Sequence, residues 1–308
     1  MLSVQNISFS YQKEATLKEL SFSVARGSTM AVIGESGCGK STLLKLLYGL
    51  HDLDAGQIFW NEMEVLGPKY HLIPGMDYMK YLAQDFDLMP YITVAENVGK
   101  YLSNFYPEQK AARVAELLAI VEMTEFAGVK AQYLSGGQMQ RVAIARVLAL
   151  EPEVLLLDEP FSHIDNFRKN SLRRKLFRYL KEQGITTIVA THDSTDVLSF
   201  AEDVLVMQGG RIIAQGAPAA LYSRPQDYYV ASLFGDVNEI ALEGKVHYVY
   251  PHQLKVVNQS PLAVTVKQVH YRGSHYLVEG VYEGAVLYFE SAVLLQEGVL
   301  VCLHFDAL

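Results

Sequence analysis

The stretch Gly34–Ser41, GESGCGKS, lies between the apolar run Met30–Ile33 and the helical pattern KSTLLKLLYGL, which Gly49 closes. It matches G-x-x-x-x-G-K-[ST] between a strand and a helix, the context that this pattern requires. Its glycines let the main chain curl, so that N–H groups and the helix N-terminus can bind phosphate oxygens. An ordinary glycine turn is the alternative, but every position of the pattern and both flanking elements favour a phosphate site.

This phosphate loop supplies most of the residues that we assign to nucleotide binding. Lys40 is expected to reach the outer phosphates, and the Ser41 hydroxyl is expected to ligate Mg²⁺. Cys38 is expected to be a small filler within the loop. The loop residues assigned to the nucleotide are Gly34, Ser36, Gly37, Cys38, Gly39, Lys40, Ser41 and Thr42.

A second signal is the acidic end of the strand pattern Val154–Pro160, VLLLDEP. Two carboxylates stand where an apolar strand stops, and a cation held near phosphates needs such a group. We expect Asp158 to be the Mg²⁺ partner and Glu159 to polarise a water for in-line attack on phosphorus. A solvated strand end is the alternative interpretation.

A third signal is the glycine turn in Tyr133–Arg141, YLSGGQMQR. Ser135 is placed to cap the N-terminus of the helix that follows, and Gly136 and Gly137 expose backbone N–H groups. The turn is therefore a candidate for a second anion site. Alone it would be only a well-capped helix, and the phosphate loop upstream makes it specific.

Taken together, these motifs resemble the ATPase subunit of ATP-binding cassette (ABC) transporters over roughly residues 2 to 235. Leu134–Gln138, LSGGQ, is similar to the signature motif of that family. The resemblance implies that Tyr11 stacks on adenine and that Gln84 contacts Mg²⁺ and the attacking water and senses a membrane partner. It further implies that Asp165 ends the D-loop and that His192 contacts the γ-phosphate.

The resemblance also implies a dimer in which two cassettes pair head to tail, most simply a homodimer. Each ATP would then lie between the phosphate loop of one cassette and Ser135, Gly137 and Gln138 of the other. Glu159, His192, Gln84 and Lys40 would be catalytic, the role of Glu159 resting partly on the resemblance. Ser41, Gln84 and Asp158 would hold Mg²⁺.

Two departures from the family pattern stand out. The D-loop here is Ser162-His163-Ile164-Asp165 instead of Ser-Ala-Leu-Asp, and His163 is either a surface residue or a modifier of communication across the dimer. Asn61 replaces a common turn glycine, which costs little because Asn tolerates a positive φ.

Alternating strand and helix patterns predict an α/β fold with a mostly parallel sheet, the P-loop NTPase type of the ABC cassette with a helical subdomain. After about residue 235 the chain changes to short strands with glycine turns. We therefore expect a cassette over 1–235 and a small all-β domain over 236–308. The second segment resembles the OB-like (TOBE) domain of importer ATPases, which mediates dimer contact or regulation.

The composition is consistent with two domains, since the chain has 308 residues and a typical domain has about 150. Cys38 and Cys302 do not suggest a disulfide framework, which fits a reducing cytoplasm. No apolar run is long enough to span a bilayer, and the N-terminus does not resemble a signal peptide. We expect a peripheral protein at the cytoplasmic face of the inner or plasma membrane.

Nucleic-acid binding is disfavoured, because the net charge is −8. The basic run Arg173–Lys181 is interpreted as the solvated face of an amphipathic helix. The histidines of the C-terminal segment lack metal-ligand spacing. They are His247, His252, His270, His275 and His304.

The function expected is ATP hydrolysis that energises transport through a separate membrane permease. Import of a polyamine, ferric iron, sulfate or a sugar is favoured by the C-terminal segment, and a solute-binding protein is a possible further partner. One alternative is an export ATPase, which would not need that segment. Another is a soluble factor acting on ribosomes or DNA, a class that usually carries two cassettes or a long coiled-coil insertion.

Overall fold

The structure is a computed structural model that describes residues 1–12, 14–71, 73–242 and 244–306, without the side chain of Asn166. The chain divides into two compact units, Met1–Pro218 and Ala219–Leu308. Residues 219–235 therefore group with the C-terminal unit. The predicted domain boundary after residue 235 stays a prediction.

The first unit alternates strands with helices, as expected. Its strands are β1 (Leu2–Tyr11), β2 (Glu14–Val24), β3 (Thr29–Ile33), β4 (Ala55–Trp60), β5 (Met63–Glu64), β6 (Met79–Leu82), β7 (Val154–Asp158), β8 (Thr186–Ala190), β9 (Asp203–Gln208) and β10 (Arg211–Gly216). Its helices are α1 (Lys40–Leu47), α2 (Val94–Val98), α3 (Pro107–Ile120), α4 (Gly136–Leu148), α5 (Asn166–Glu182) and α6 (Ser194–Phe200). The α/β fold predicted from the alternating patterns is confirmed.

The main sheet has the order β10-β9-β3-β8-β7-β6, with parallel pairing from β9 to β6 and a closing β9–β10 hairpin. All residues of β7 and β8 are buried, which is typical of a parallel sheet covered on both faces. In the register, Val32 and Asp158 both lie beside Ala190. The carboxyl ends of β3, β8 and β7 therefore meet at one edge of the sheet.

Alternate residues of β7 enter two different cores. Val154 and Leu156 join a core with α1 and the antiparallel sheet β2-β1-β4-β5. Leu155 and Leu157 join a core with the helices α2 to α5 on the other face. Each face of the strand is thus buried by a separate layer, and this burial is the main stabilising contribution to the sheet.

The basic helix α5 corrects one sequence-based prediction. Arg174, Lys175, Arg178 and Lys181 are exposed, as expected for a solvated face. Arg173 is only 3% exposed, so the prediction was wrong at this residue. Ion pairs with two aspartates from another segment compensate for its desolvation, and these partners could not be identified from the helix itself.

The second unit contains α7 (Pro218–Ser223), which starts at the last residue of the first unit, and α8 (Tyr228–Ser232). Its strands are β11 (Asn238–Leu242), β12 (Lys245–Val249), β13 (Lys255–Val257), β14 (Leu262–Tyr271), β15 (Tyr276–Tyr282), β16 (Ala285–Ser291) and β17 (Leu300–His304). The strands form a hairpin, β11–β12, and an antiparallel sheet of order β13-β17-β14-β15-β16. The strands from β11 to β17 agree with the predicted OB-like domain.

Asn238 connects the hairpin to that sheet. Its side-chain Nδ2 donates to the carbonyl oxygens of Val249 (3.0 Å) and Tyr288 (2.7 Å), and its Oδ1 accepts from the Tyr288 N–H (2.7 Å). Asn238 is buried, so these bonds replace the water that the three groups would otherwise bind.

Within the described residues, no helix is both long and apolar enough to cross a membrane.

We predict that Asn238→Ala lowers the free energy of unfolding of the second unit by about 2 to 4 kcal/mol, because the buried carbonyl group of Val249 and the partly buried backbone groups of Tyr288 lose their partners. Urea denaturation and hydrogen exchange at the Tyr288 amide would measure this. Asn258→Ala, at an exposed turn, is the matched control and should change stability by less than about 0.5 kcal/mol. Equal effects of the two variants would contradict the assignment.

Candidate functional site

The predicted phosphate loop connects the end of β3 to the start of α1. Gly34, Gly37 and Gly39 have φ values of 153°, 85° and 109°, which non-glycine residues rarely adopt. A Cβ atom at Gly34 would lie 2.2 Å from the Met207 carbonyl oxygen, whereas one at Gly37 would meet open space. Gly34 is therefore required both by its conformation and by close backbone packing, and Gly37 by its conformation alone.

Lys40 and Cys38 lie within this loop. The Lys40 ammonium group donates to the carbonyl oxygens of Gly34 (2.7 Å) and Glu35 (3.0 Å), so its charge faces the inside of the turn. The Cys38 side chain is buried, and this burial raises the pKa of its thiol. A buried, protonated thiol agrees with the small filler that the sequence predicted.

A cavity of about 270 Å³ joins the phosphate loop to the acidic end of β7. Its volume is close to the lower end of the range for small-molecule sites. It is lined by Thr16, Ser36, Gly37, Gly39, Lys40, Ser41, Thr42, Gln84, Asp158 and Glu159. Residues predicted from three separate motifs therefore meet around one cavity.

Asp158 is the buried carboxylate of this cavity. The Tyr81 hydroxyl donates to its Oδ2 (3.2 Å), while its Oδ1 is buried and has no hydrogen-bond partner among the described residues. Burial raises the pKa of Asp158, and the Ser41 and Tyr81 hydroxyls and two nearby lysines oppose that rise. The free Oδ1 and the lining oxygens of Ser41 and Gln84 suit a hard cation such as Mg²⁺.

Glu159 and His192 form a pair beside the same cavity. His192 Nδ1 lies 2.8 Å from Glu159 Oε2, with the imidazole largely exposed and the carboxylate largely buried. Glu159 has a φ of 50°, and its N–H donates to the Ala190 carbonyl oxygen at the end of β8 (2.9 Å). The main chain thus turns Glu159 away from the strand direction and aims it at His192.

Tyr11, the predicted adenine platform, lies at the end of β1 and is 43% exposed. Its ring packs edge-on against Phe9, with ring centroids 4.8 Å apart. Its hydroxyl lies 3.3 Å from His51 Nε2, and His51 stacks on Phe9. Tyr11 does not line the cavity described above, and its contact with His51 was not predicted.

The predicted signature turn forms a separate site at the N-terminus of α4. The Ser135 hydroxyl accepts from the Gln138 N–H (3.3 Å), and Gln138 Oε1 accepts from the Ser135 N–H (2.8 Å), which completes a capping box. A cavity of about 360 Å³ joins this turn to the D-loop. It is lined by Ser135, Gly136, Gly137, Gln138, Arg141, His163, Ile164, Asp165, Phe167 and Arg168.

Gln140 links the two regions and was missed by the sequence analysis. Its Nε2 donates to the Glu159 carbonyl oxygen (2.9 Å), and its Oε1 accepts from the His163 N–H (3.0 Å). A glutamine inside a helix carries no sequence signal for such contacts, because both partners lie in another segment.

No group of three or more His, Cys, Asp or Glu side chains in the described part of the chain could hold a metal.

The first unit has the architecture of a P-loop nucleotide-binding cassette, with a parallel sheet, a glycine loop, an acidic strand end and a capped glycine turn. The family model that matches residues 17–162 is that of the ABC transporter. The ferric-ion import ATP-binding protein FbpC 1 of Rhodococcus jostii (strain RHA1) is 42% identical over 240 residues, covering 76% of this chain and 67% of that protein. This chain belongs to the ABC transporter ATP-binding family and is an ABC-type ATPase subunit.

Two further similarities agree with this assignment. The putrescine transport ATP-binding protein PotG of Escherichia coli (strain K12) is 34% identical over 240 residues, covering 77% of this chain and 63% of PotG. The dimeric cassette MJ0796 bound to ADP and Pi superposes with a TM-score of 0.63 at 28% identity, covering 71% of this chain and 99% of that structure. The chain spans about two thirds of the length of the curated relatives that it matches.

The two signature glycines should differ in their tolerance of a side chain. A Cβ atom at Gly137 would lie 2.6 Å from the His163 carbonyl oxygen, whereas one at Gly136 would meet open space. We predict that Gly137→Ala lowers the free energy of unfolding by about 1 to 3 kcal/mol. Gly136→Ala, its matched control, should be neutral or stabilising, because alanine favours helices. Urea denaturation would test this, and equal destabilisation by both variants would contradict it.

Proposed function

We propose that this chain hydrolyses ATP to drive solute import through a separate membrane permease. The observation that carries the proposal is the cavity shared by the phosphate loop, Gln84, Asp158 and Glu159. It places a lysine and glycine-rich main chain opposite carboxylates, which is the arrangement that phosphoryl transfer to water requires. Membership of the ABC transporter family supports the coupling of this reaction to transport.

In the proposed complex, Lys40 and the loop N–H groups bind the ATP phosphates, and Tyr11 stacks on adenine. The residues that would hold Mg²⁺ are Ser41, Gln84 and Asp158, and the ion would neutralise phosphate charge. The buried, unpartnered Oδ1 of Asp158 supports this role, because a buried carboxylate oxygen without a partner is costly. Lys40 lies in the same cavity and supplies a fixed positive charge.

For the reaction, Glu159 accepts a proton from a water whose oxygen attacks the γ-phosphorus. The bond between that phosphorus and the bridging oxygen breaks, which releases ADP and inorganic phosphate. His192, held beside Glu159, contacts the γ-phosphate, and Gln84 helps to orient the water. The 2.8 Å contact between His192 and Glu159 supports their joint action, since a base must be positioned before its pKa matters.

We further propose that the active form is a head-to-tail homodimer. The cavity beside the signature turn is separate from the phosphate-loop cavity in the same chain. In the dimer, Ser135, Gly137, Gln138 and Asp165 of one copy would complete the phosphate site of the other. ATP would then join the copies, and its hydrolysis would release them. The MJ0796 cassette bound to ADP and Pi is dimeric, which supports this arrangement.

The proposed cargo is ferric iron or a polyamine, because the curated relatives are described as import proteins for ferric ions and as a putrescine transport protein. Sulfate and sugars remain within the class predicted from the C-terminal segment. The permease, with a solute-binding protein, would be formed by other chains, and this chain would bind it at the cytoplasmic face of the membrane. Individually exposed aromatic side chains after Gln84 are available for contact with the permease. They are Tyr91, Tyr101, Phe105 and Tyr106.

Glu159→Gln should retain ATP binding and lower ATP turnover by about 100-fold or more, because the water-activating base is lost while the phosphate contacts stay. With Mg-ATP, the variant should accumulate as a dimer in size-exclusion chromatography with light scattering. Glu182→Gln, at the exposed end of α5, is the matched control and should behave as wild type. A Glu159→Gln variant that remains monomeric at saturating Mg-ATP would argue against the dimer mechanism.

The transport proposal is tested by capturing tagged Glu159→Gln from native membranes with Mg-ATP and identifying its partners by mass spectrometry. An import permease, with or without a solute-binding protein, is the expected result. Lys40→Ala is the control for ATP dependence, since it lacks the phosphate-binding lysine. Recovery of an export permease would overturn import, and recovery of ribosomal proteins or nucleic acid without a permease would overturn transport.

A further inference from the structure

Arg173 is a buried cation close to the proposed catalytic pair, and the mechanism above does not use it. Only 4% of its side chain is exposed, although it lies on the basic helix α5. A buried guanidinium is costly unless it is paired, so its partners show what the protein holds in place. These partners come from the two segments that carry His192 and Glu159.

The first set of contacts lies on both sides of His192 in the chain. Arg173 Nη2 pairs with Asp193 Oδ2, and Arg173 Nε lies 2.5 Å from Asp196 Oδ1. Thr191 joins this network, since its hydroxyl donates to Asp196 Oδ2 (2.9 Å) and accepts from the Asp193 N–H (3.0 Å). Both chain neighbours of His192 are therefore fixed by a network centred on Arg173.

The second contact is with the segment that follows Glu159. The Arg173 guanidinium lies over the Phe161 ring, 5.4 Å from its centroid, which is within the range of a cation–π interaction. Phe161 is two residues after Glu159 and is buried. One side chain thus contacts side chains from both of the segments that carry the Glu159–His192 pair.

Few contacts of the His192 side chain itself could fix the position of its imidazole ring. It is 72% exposed, and its polar contact within the described residues is with Glu159. Its position must therefore come mainly from the backbone of residues 191–193. Without Arg173, the buried carboxylate of Asp196 and the partly exposed carboxylate of Asp193 would both lose their shared cation, and burial already raises the pKa of Asp196 to about 6. Loss of the guanidinium would therefore displace this backbone.

We propose that Arg173 is a positioning residue that aligns His192 with Glu159 for ATP hydrolysis. The inference rests on the proposed function, because it gives His192 and Glu159 their roles in the reaction. Arg173 acts through the loop that bears His192. It does not line the nucleotide cavity. It should therefore affect the rate of the chemical step more than the affinity for ATP.

Arg173→Lys is the first test, because it keeps the charge but cannot reproduce the forked contacts with two aspartates. Turnover should fall about 10- to 100-fold, since small misplacements of catalytic groups have effects of this size. The Kd for a fluorescent ATP analogue should stay within about twofold of the wild-type value. Arg174→Lys, at the adjacent exposed position on α5, is the matched control and should match wild type in both measurements.

A double-mutant cycle separates positioning from general stabilisation. If Arg173 acts through His192, the Arg173→Lys/His192→Ala variant should be no slower than His192→Ala alone. If the fold-losses in turnover of the two single variants multiply in the double variant, the proposal is overturned. A wild-type rate for either single variant would also overturn it. Asp193→Asn provides a second route to the same cycle if Arg173→Lys folds poorly, because asparagine keeps the shape but loses the charge.

The outcomes distinguish this inference from the proposed function. If wild-type protein does not hydrolyse ATP, the proposed function fails and the inference fails with it. If wild type hydrolyses ATP and Arg173→Lys does so equally well, only the inference fails. A fall in ATP affinity that accounts for the whole loss of activity would also overturn the inference, because it would place Arg173 in binding.

Discussion

The parallel pairing of β3, β8 and β7 is the constraint on which the rest of the first unit depends. Their register places Val32, Ala190 and Asp158 side by side, so that three chain segments leave the sheet at one edge. The phosphate loop follows β3, the loop with His192 follows β8, and Glu159 follows β7. A slip of β7 by one residue would exchange its two core faces and move Asp158 out of the site.

The chemistry at this edge depends on buried charged groups that other side chains hold in place. Asp158 is held by the Tyr81 hydroxyl, and Arg173 is held by two aspartates. Such groups are expensive to desolvate, and they persist because the two cores on either side of the sheet keep their elements in place. The apolar layers therefore do more than stabilise the fold, since they determine where each charge points.

The capped glycine turn of α4 belongs to a different part of the same unit. Gly137 packs against the His163 carbonyl group, and Gln140 binds the main chain of Glu159, before the D-loop, and of His163, within it. The signature turn, the D-loop and Glu159 are therefore mechanically connected within one chain. A partner that displaces the signature turn would therefore also displace Glu159, the carboxylate that we propose to activate water.

The sequence alone determined the features that depend on neighbours in the chain. Glycines with positive φ, the acidic strand end and the helix N-cap at Ser135 all follow from local backbone chemistry, and the structure contains each of them. Only the tertiary structure revealed the burial of Arg173, the His51 contact with Tyr11 and the bridge from Asn238 to β16. These depend on groups brought together from distant segments, and neither periodicity nor composition records which charge or amide will meet which partner.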